Sequence, residues 1–377
     1  MIYLDYSATT PTDESVLNSY IETTKKIIGN PNSLHKLGVE AKKLIDAATT
    51  QIASILNVRP NEIIYTSGAS EANNTAIKGV CLKYQNRGKH IITTQLEHSS
   101  ITEPLNYLKT LGFEVNYVNL TPTGKVDLED LKKKIREDTI LVSIASINSE
   151  IGIRQPIEKI GNILKNYPKI IFHSDITQSI GKEKINLENV DLASFSAQKF
   201  YGMKGIGALI KKENIVIEPL IHGGKSTTKE RSGTPPTALI VSMAKALRLS
   251  YENLEEKQTK VKELNTYLRE KLAEANITIN SPADAIPNIL NISIEKIKPE
   301  TMLHALEEKD IYISTKTACS TSEESTSVFA LTKNKEQASH SLRISLSYKT
   351  TKEELDTFIN ILISIRNELN KLYAKKN

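Results

Sequence analysis

Lys199 closes the segment Ser-Phe-Ser-Ala-Gln-Lys (194–199), 24 residues after the Asp175 that ends Lys-Ile-Ile-Phe-His-Ser-Asp (169–175). Each segment reads as a short apolar strand ending in polar residues, and open α/β sheets bind ligands at the carboxyl ends of their strands. An amine and an acid at neighbouring strand ends suit pyridoxal 5'-phosphate. The amine condenses with the aldehyde, and the carboxylate keeps the pyridine nitrogen protonated so that the ring accepts electrons. Taken singly, each residue has a plainer reading, a surface lysine and a strand-end aspartate. The rest of the chain shifts the balance.

Thr66–Asn74 follows one predicted strand and opens a helix, with Gly68 for a tight turn. Backbone N–H groups there, with the Ser70 hydroxyl, would face an anion. The plainer alternative makes Ser70 an ordinary helix N-cap. Gln178, three residues beyond Asp175, is placed to donate to a phenolic oxygen, and Ser196 and Gln198 flank Lys199 within reach of a phosphate. His98 follows another strand and would stack on a pyridine ring and exchange protons. Asn148 closes a strand and suits a cofactor oxygen or a substrate carboxylate. Arg343, in Ser-Leu-Arg-Ile-Ser, offers a guanidinium for bidentate carboxylate binding. Its plainer reading is a surface ion pair.

The two cysteines differ in setting. Cys319 lies in a polar stretch, Thr-Lys-Thr-Ala-Cys-Ser-Thr-Ser-Glu-Glu-Ser-Thr (315–326), that reads as an exposed loop. An accessible thiolate there is a candidate nucleophile. Cys81, on an apolar helix face, reads as core. Gly223-Gly-Lys-Ser226 lacks the first glycine of a P-loop, where Pro219 stands, and the seven histidines show no zinc spacing.

The elements that must position these groups follow from hydrophobic periodicity. Strands are expected at Glu62–Thr66, His90–Thr94, Phe113–Val118, Thr139–Ile147, Lys169–Ser174, Leu192–Ser196 and Gly207–Lys211, alternating with helices. Such alternation predicts an α/β fold with a mainly parallel sheet. A helix within Ser33–Asn57 places Leu37, Ala41, Leu44, Ala48, Ile52 and Leu56 on one face. After Pro235-Pro236 the texture changes. One or two helices over Ala238–Asn276, strands at Ile289–Ile294, Ile311–Ser314 and Leu342–Ser347, and a last helix opened by the capping box Thr351-Lys-Glu-Glu354 predict a smaller α/β domain. We divide the chain into a large domain over 12–250 and a smaller one over 251–377 joined by the arm 1–11.

With 377 residues and 39% hydrophobic content, the chain is long enough for a substantial core, and its net charge of +5 names no partner. The sequence shows neither a membrane-span-length apolar run nor a signal-peptide pattern, and two cysteines make no disulfide framework, so a reducing cytoplasm is expected. No basic patch with interleaved aromatics points to direct nucleic-acid binding.

The ordered motifs Tyr3–Pro11, Gly29–His35, Thr66–Asn74, Glu97-His98, Asn148–Gly152, Asp175–Gln178, Ser194–Lys199, His222–Gly224, Arg231–Thr234, Ala318-Cys319 and Arg343–Ser345 resemble those of the cysteine desulfurases. These are pyridoxal-phosphate enzymes of aminotransferase class V, fold type I. The Cys319-to-Arg343 spacing is similar to that of the long-loop group, which serves iron–sulfur assembly and tRNA thiolation. The resemblance implies that Lys199 holds the cofactor, His98 stacks on it, and Asp175 and Gln178 tune it. Ala69, Ser70, Ser196 and Gln198 would bind phosphate, with Thr234 joining from the second subunit of a homodimer. Asn148 and Arg343 would hold the carboxylate of L-cysteine, and Cys319 would receive its sulfur and pass it to a protein acceptor, a tRNA sulfurtransferase or an iron–sulfur scaffold. The chain departs from the family pattern at Gln198, where histidine is usual, and at Ser70, where threonine is. It also carries Lys225-Ser-Thr-Thr-Lys229 in place of a glycine-rich stretch. Other readings are transamination or selenocysteine lysis on the same fold, and a non-catalytic sulfur-transfer scaffold.

Overall fold

The structure is a computed structural model that describes residues 1–224, 229–315 and 324–374. Cys319 and residues 225–228 lie outside the described residues.

Twelve strands are described: β1 Ile2–Tyr3, β2 Ile63–Thr66, β3 His90–Thr93, β4 Glu114–Tyr117, β5 Thr139–Ser143, β6 Ile171–Asp175, β7 Leu192–Ser196, β8 Gly207–Lys211, β9 Thr278–Ile279, β10 Ile289–Ser293, β11 Ile311–Tyr312 and β12 Ser341–Ser345. Seven of them form the central sheet in the order β2-β8-β7-β6-β5-β3-β4. Only β8 runs against its neighbours β2 and β7; the other pairings are parallel. The inner strands β5, β6, β7 and β8 are buried throughout, as a sheet covered on both faces requires. Two hydrophobic clusters cover those faces, one around Phe172, Phe195 and Phe200 and one around Ile77, Ile91 and Leu209.

Helices α1 (Glu14–Lys26), α2 (Lys36–Leu56), α3 (Ala69–Tyr84) and α4 (Ser99–Thr110) accompany the first strands. The buried stripe of α2 is Ala41, Ile45, Ala48, Ile52 and Leu56, so Ile45 replaces the expected Leu44 and Leu37 stays 45% exposed. The expected long helical stretch breaks into two, Thr237–Tyr251 and Leu254–Glu274. Glu252 leaves the first helix in extended backbone (φ −64°, ψ 128°), and Asn253, the N-cap of the second, adopts φ 52°, ψ 36°, a left-handed conformation that asparagine tolerates. The expected strand to Ile147 is regular only to Ser143. It stays beside β6 through Ile144 N–H to His173 O (3.0 Å) and Ser146 N–H to Asp175 O (2.9 Å), then turns at Asn148.

A three-stranded antiparallel sheet, β12-β10-β9, anchors a separate cluster that includes Leu4, Leu268, Ile292, Ile344 and Phe358. The last helix, Lys352–Ala374, opens as its sequence predicts: Thr351 N–H donates to Glu354 Oε2 (2.9 Å) and Glu354 N–H to Thr351 Oγ1 (3.2 Å). The N-terminal arm joins this layer. β1 pairs in parallel with β11, and Asp5 bridges to Ser345 of β12.

Candidate active site

Parallel pairing brings the carboxyl ends of β3, β5, β6 and β7 to one edge of the sheet, and α3 starts there after β2. A cavity of about 370 Å³ opens at that edge, a size that suits a small cofactor. Ala69, Ser70, His98, Asp175, Gln178, Ser196, Gln198, Lys199 and Arg343 all line it, although they come from positions 69 to 343 of the chain.

Ser196 of β7 stands opposite Gly207 of β8, which stands opposite Thr66 of β2. This register sets the start of α3 beside Ser196. A Cβ at Gly207 would lie 2.4 Å from Phe195 O and 2.8 Å from Gly68 Cα, so only glycine permits the approach. Gly68, at φ 156°, is the N-cap of α3, and Ser70 lies inside the first turn rather than capping it. The N–H groups of that turn have no intrahelical acceptors and carry the positive end of a 16-residue helix. Arg231 pairs nearby with Glu71 at 2.9 Å.

Asp175 is held at both oxygens. Oδ1 accepts from Thr177 N–H at 2.9 Å, and Oδ2 accepts from Asn73 Nδ2 at 2.8 Å. A carboxylate oxygen accepts more than one bond, so capacity remains for a ring N–H. Asn73 also donates to Ser100 Oγ (2.8 Å), which lies 2.9 Å from His98 Nδ1. His98 caps α4, and Nδ1 accepts from Ser100 N–H at 3.1 Å. The neutral ring therefore carries its proton on Nε2. Burial lowers the His98 pKa, with Lys199 adding to the effect and Asp175 opposing it. Beside it, Glu97 accepts from Thr94 Oγ1 (2.7 Å) and from Ala145 N–H, and burial pushes its carboxyl up to about 8.

Lys199 Nζ donates to Ser7 O and Ala8 O of the N-terminal arm, each at 2.7 Å. Gln178 Nε2 donates to the same Ser7 O at 3.1 Å. Arg343 is no surface residue: its side chain is 3% exposed. Nη2 donates to Asp5 Oδ1 at 2.8 Å and Nη1 to Ser149 O at 3.1 Å, while the buried Nε has no partner among the described residues.

Two expected site residues stand elsewhere. The Asn148 carboxamide is turned from the cavity. Its Nδ2 donates to Leu96 O (2.9 Å) and Ser327 Oγ (3.0 Å), and its Oδ1 accepts from the N–H groups of Glu150 and Ile151. Ile147 and Ser149 line the cavity there instead. Thr234 is exposed and absent from the lining. Asn73, Ser100, Asp5 and the Ser7–Ala8 carbonyls escaped the sequence reading. The one signal for Asn73 was a pair of poor helix formers, Asn73-Asn74, inside a helix. Cys81 is fully buried, and burial pushes its thiol well up.

The donor set fits pyridoxal phosphate. A helix N-terminus with Ser70, Ser196 and Gln198 suits the phosphate, Asp175 the ring nitrogen, Lys199 the aldehyde carbon, and the Gln178 amide the phenolic oxygen. Among the described residues no cluster of histidine, cysteine and carboxylate side chains suits a metal ion, and no helix is long and apolar enough to cross a membrane.

The aminotransferase class V family model matches residues 2–358. The chain belongs to that family. Members of aminotransferase class V are pyridoxal-phosphate enzymes, and this chain is one of them. It is 39% identical to a cysteine desulfurase IscS of Dictyoglomus turgidum over 382 residues, covering 100% of this chain and 97% of the relative. It is 42% identical to a cysteine desulfurase IscS of Glaesserella parasuis, covering 98% and 94%. Among solved structures, a NifS-like protein superposes with a TM-score of 0.92 at 37% identity, covering 97% of this chain and 98% of that one. SspA in complex with cysteine superposes with a TM-score of 0.82 at 32% identity, covering 93% and 100%.

Proposed function

We propose that the chain is a cysteine desulfurase. L-cysteine and the Cys319 thiol give L-alanine and a Cys319 persulfide, so one sulfur atom moves and no outside oxidant is needed. The persulfide then passes to a protein acceptor for tRNA thiolation or iron–sulfur cluster assembly, in a cytoplasmic setting.

The observation that carries this reading is the anchoring of the Cys319-bearing stretch. Arg343 N–H donates to Ser314 O (2.7 Å) and Ser314 N–H to Arg343 O (3.1 Å), so the stretch departs from the residue that lines the cavity. On the far side Ser325 Oγ donates to Glu150 Oε2 at 2.5 Å, close to Ser149 of the lining. Cys319 follows Ser314 by five positions, which bounds its reach at about 17 Å. The residues flanking the Cys319-bearing stretch are thus fixed beside the cavity lining, which supports transfer of a substrate sulfur to that thiol.

Bound pyridoxal phosphate supplies an electron sink for charge that develops at the substrate Cα. Lys199 moves the Cα proton, and the Ser7 and Ala8 carbonyls hold its ammonium. Asp175, fixed by Asn73 and Thr177, would accept a hydrogen bond from the ring nitrogen of the bound cofactor. His98 exchanges protons through Nε2, and Arg343 binds the substrate carboxylate. Asn148 acts by bracing the 148–151 turn that carries Ser149. Gln198 can donate a hydrogen bond to phosphate but brings no charge.

A homodimer completes the reading. Thr234 is exposed and does not line the main cavity of its own chain, so its phosphate contact would be made to a second copy. Leu34 is 97% and Ile28 78% exposed around the Gly29–His35 motif, apolar surface that a second copy would cover.

Mass spectrometry after addition of L-cysteine to the cofactor-loaded protein tests the activity. The expected result is a mass gain of one sulfur on Cys319 with matching alanine. Lys199→Ala should lose both, and Cys319→Ala should lose the adduct. Alanine formation undiminished in Cys319→Ala would point to another reaction of this family. Sedimentation tests the homodimer, and a monomer at micromolar concentration would overturn it.

A further inference from the structure

A second chamber, about 30 Å³, shares Lys199 with the main cavity, and that volume holds a water or two. Lys182 lines this chamber and Gln178 lines the other, and the two side chains join: Lys182 Nζ donates to Gln178 Oε1 at 2.8 Å. The Gln178 Nε2 donates to Ser7 O at 3.1 Å and keeps a second N–H. An inverted amide would set its oxygen against the Ser7 carbonyl and its N–H groups against the ammonium. Contacts at both ends therefore select one orientation.

We propose that Lys182 is a positioning residue for the cofactor: its ammonium pins the Gln178 carboxamide so that nitrogen, not oxygen, faces the bound ring, and its charge strengthens that donor. The inference rests on the pyridoxal-phosphate reading of the cavity. Lys182 is held in place from its own backbone as well, since Gln258 Nε2 donates to Lys182 O at 2.9 Å. The charged groups acting on Lys182 are Lys199 and Arg343, which repel it, and Glu183, which attracts it but is bonded to Arg154 at 2.8 Å. The chamber's other ionisable residues are Lys257, Tyr6, Tyr201 and Tyr348, with no carboxylate among its lining residues. Burial first, then Lys199 and Arg343, push the Lys182 ammonium down to about 7.

The test is an absorbance titration of the protein loaded with pyridoxal phosphate, from pH 6 to 10. A cation and a donor on the phenolic side both disfavour the protonated lysine–cofactor linkage. Lys182→Met should therefore raise the pH midpoint of the absorbance change by about 1 unit. Lys182→Arg should stay near the parent. Lys182→Gln, which keeps a donor and loses the charge, should fall between, and it carries the test if Lys182→Met does not fold. In a Gln178→Leu background, Lys182→Met should shift the midpoint by clearly less than it does in the parent. Midpoints that match the parent in both neutral variants would overturn the role. So would an undiminished shift in the Gln178→Leu background, because the charge would then act without the amide. Unaltered titration in variants that bind cofactor sinks this inference alone, whereas a parent protein that takes up no pyridoxal phosphate sinks the cofactor reading with it.

Discussion

The two walls of the main cavity hold charge in different ways. The sheet-end wall carries Asp175, His98 and Lys199 on or just past regular strands; hydrogen bonds from Thr177 through Asn73 and Ser100 set the directions of Asp175 and His98, and the Ser7 and Ala8 carbonyls hold Lys199. Each member is fixed by several partners. The opposite wall relies on one ion pair, the buried Arg343 with the partly exposed Asp5, between β12 and the N-terminal arm, supplemented by Arg343 Nη1 to Ser149 O. A network spreads the cost of any one loss, whereas a lone buried pair concentrates it. The first wall suits a resident cofactor. The second suits a carboxylate that arrives and leaves, because the Arg343 guanidinium lines the cavity and matches a carboxylate's two oxygens.

Removing the lone pair should have the largest effect. Arg343→Ala leaves Asp5 without its cation and should raise KM for L-cysteine by about 10²-fold, or roughly 3 kcal/mol, with a smaller change in kcat. Steady-state alanine release reads both; equal falls in kcat and kcat/KM would show that Arg343 serves the reaction rather than binding.

Glu97 tests whether the network wall stores pH sensitivity. Its folded carboxyl titrates near 8, above the unfolded value, so the native state binds the extra proton between those values. The stability it contributes is present at low pH and is lost as pH rises through about 8. Glu97→Gln removes this slope. Its melting temperature should gain on the parent between pH 6 and pH 8.5, by an amount worth about 2–4 kcal/mol. A gap that does not widen with pH would show that the carboxyl is not the cause.

Asn73→Ala takes a donor from Asp175 and from Ser100 at once. It should weaken cofactor retention about tenfold, in line with a loss of about 1–3 kcal/mol for an orphaned buried acceptor. Equilibrium dialysis against pyridoxal phosphate checks this, and unchanged retention would mean that Thr177 N–H alone suffices. The smallest effect is expected at Cys81→Ala, in the core away from either wall: about 1 kcal/mol or less by denaturant unfolding, with alanine release unchanged.

Much of this site was legible in the sequence because parallel strands deliver their last residues to one edge. Strand-end residues such as Asp175 and Lys199 follow from that rule and from the hydrophobic pattern alone. Arg343 was legible as a cation on a strand, but its burial was not, because nothing near it in sequence shows that Asp5 lies opposite. Asn148 shows the limit of reading by type. A turn asparagine satisfies its own neighbours' N–H groups as readily as a ligand, and here it does the former while Ser149 meets the cavity.

The sequence by itself determined the alternation of strands and helices, the chemistry of the amine–acid pair, and the contrast between a cysteine in an apolar helix and one in a polar stretch. Local pattern decides these, since periodicity and turn residues act over a few positions. Only the tertiary structure decided the partners: Asp5 for Arg343, the Ser7 and Ala8 carbonyls for Lys199, Asn73 for Asp175. Asp5 and Arg343 are 338 positions apart, and no local rule links them. They meet because β1 pairs with β11 and the arm continues alongside β12, closing the cavity on the side the central sheet leaves open.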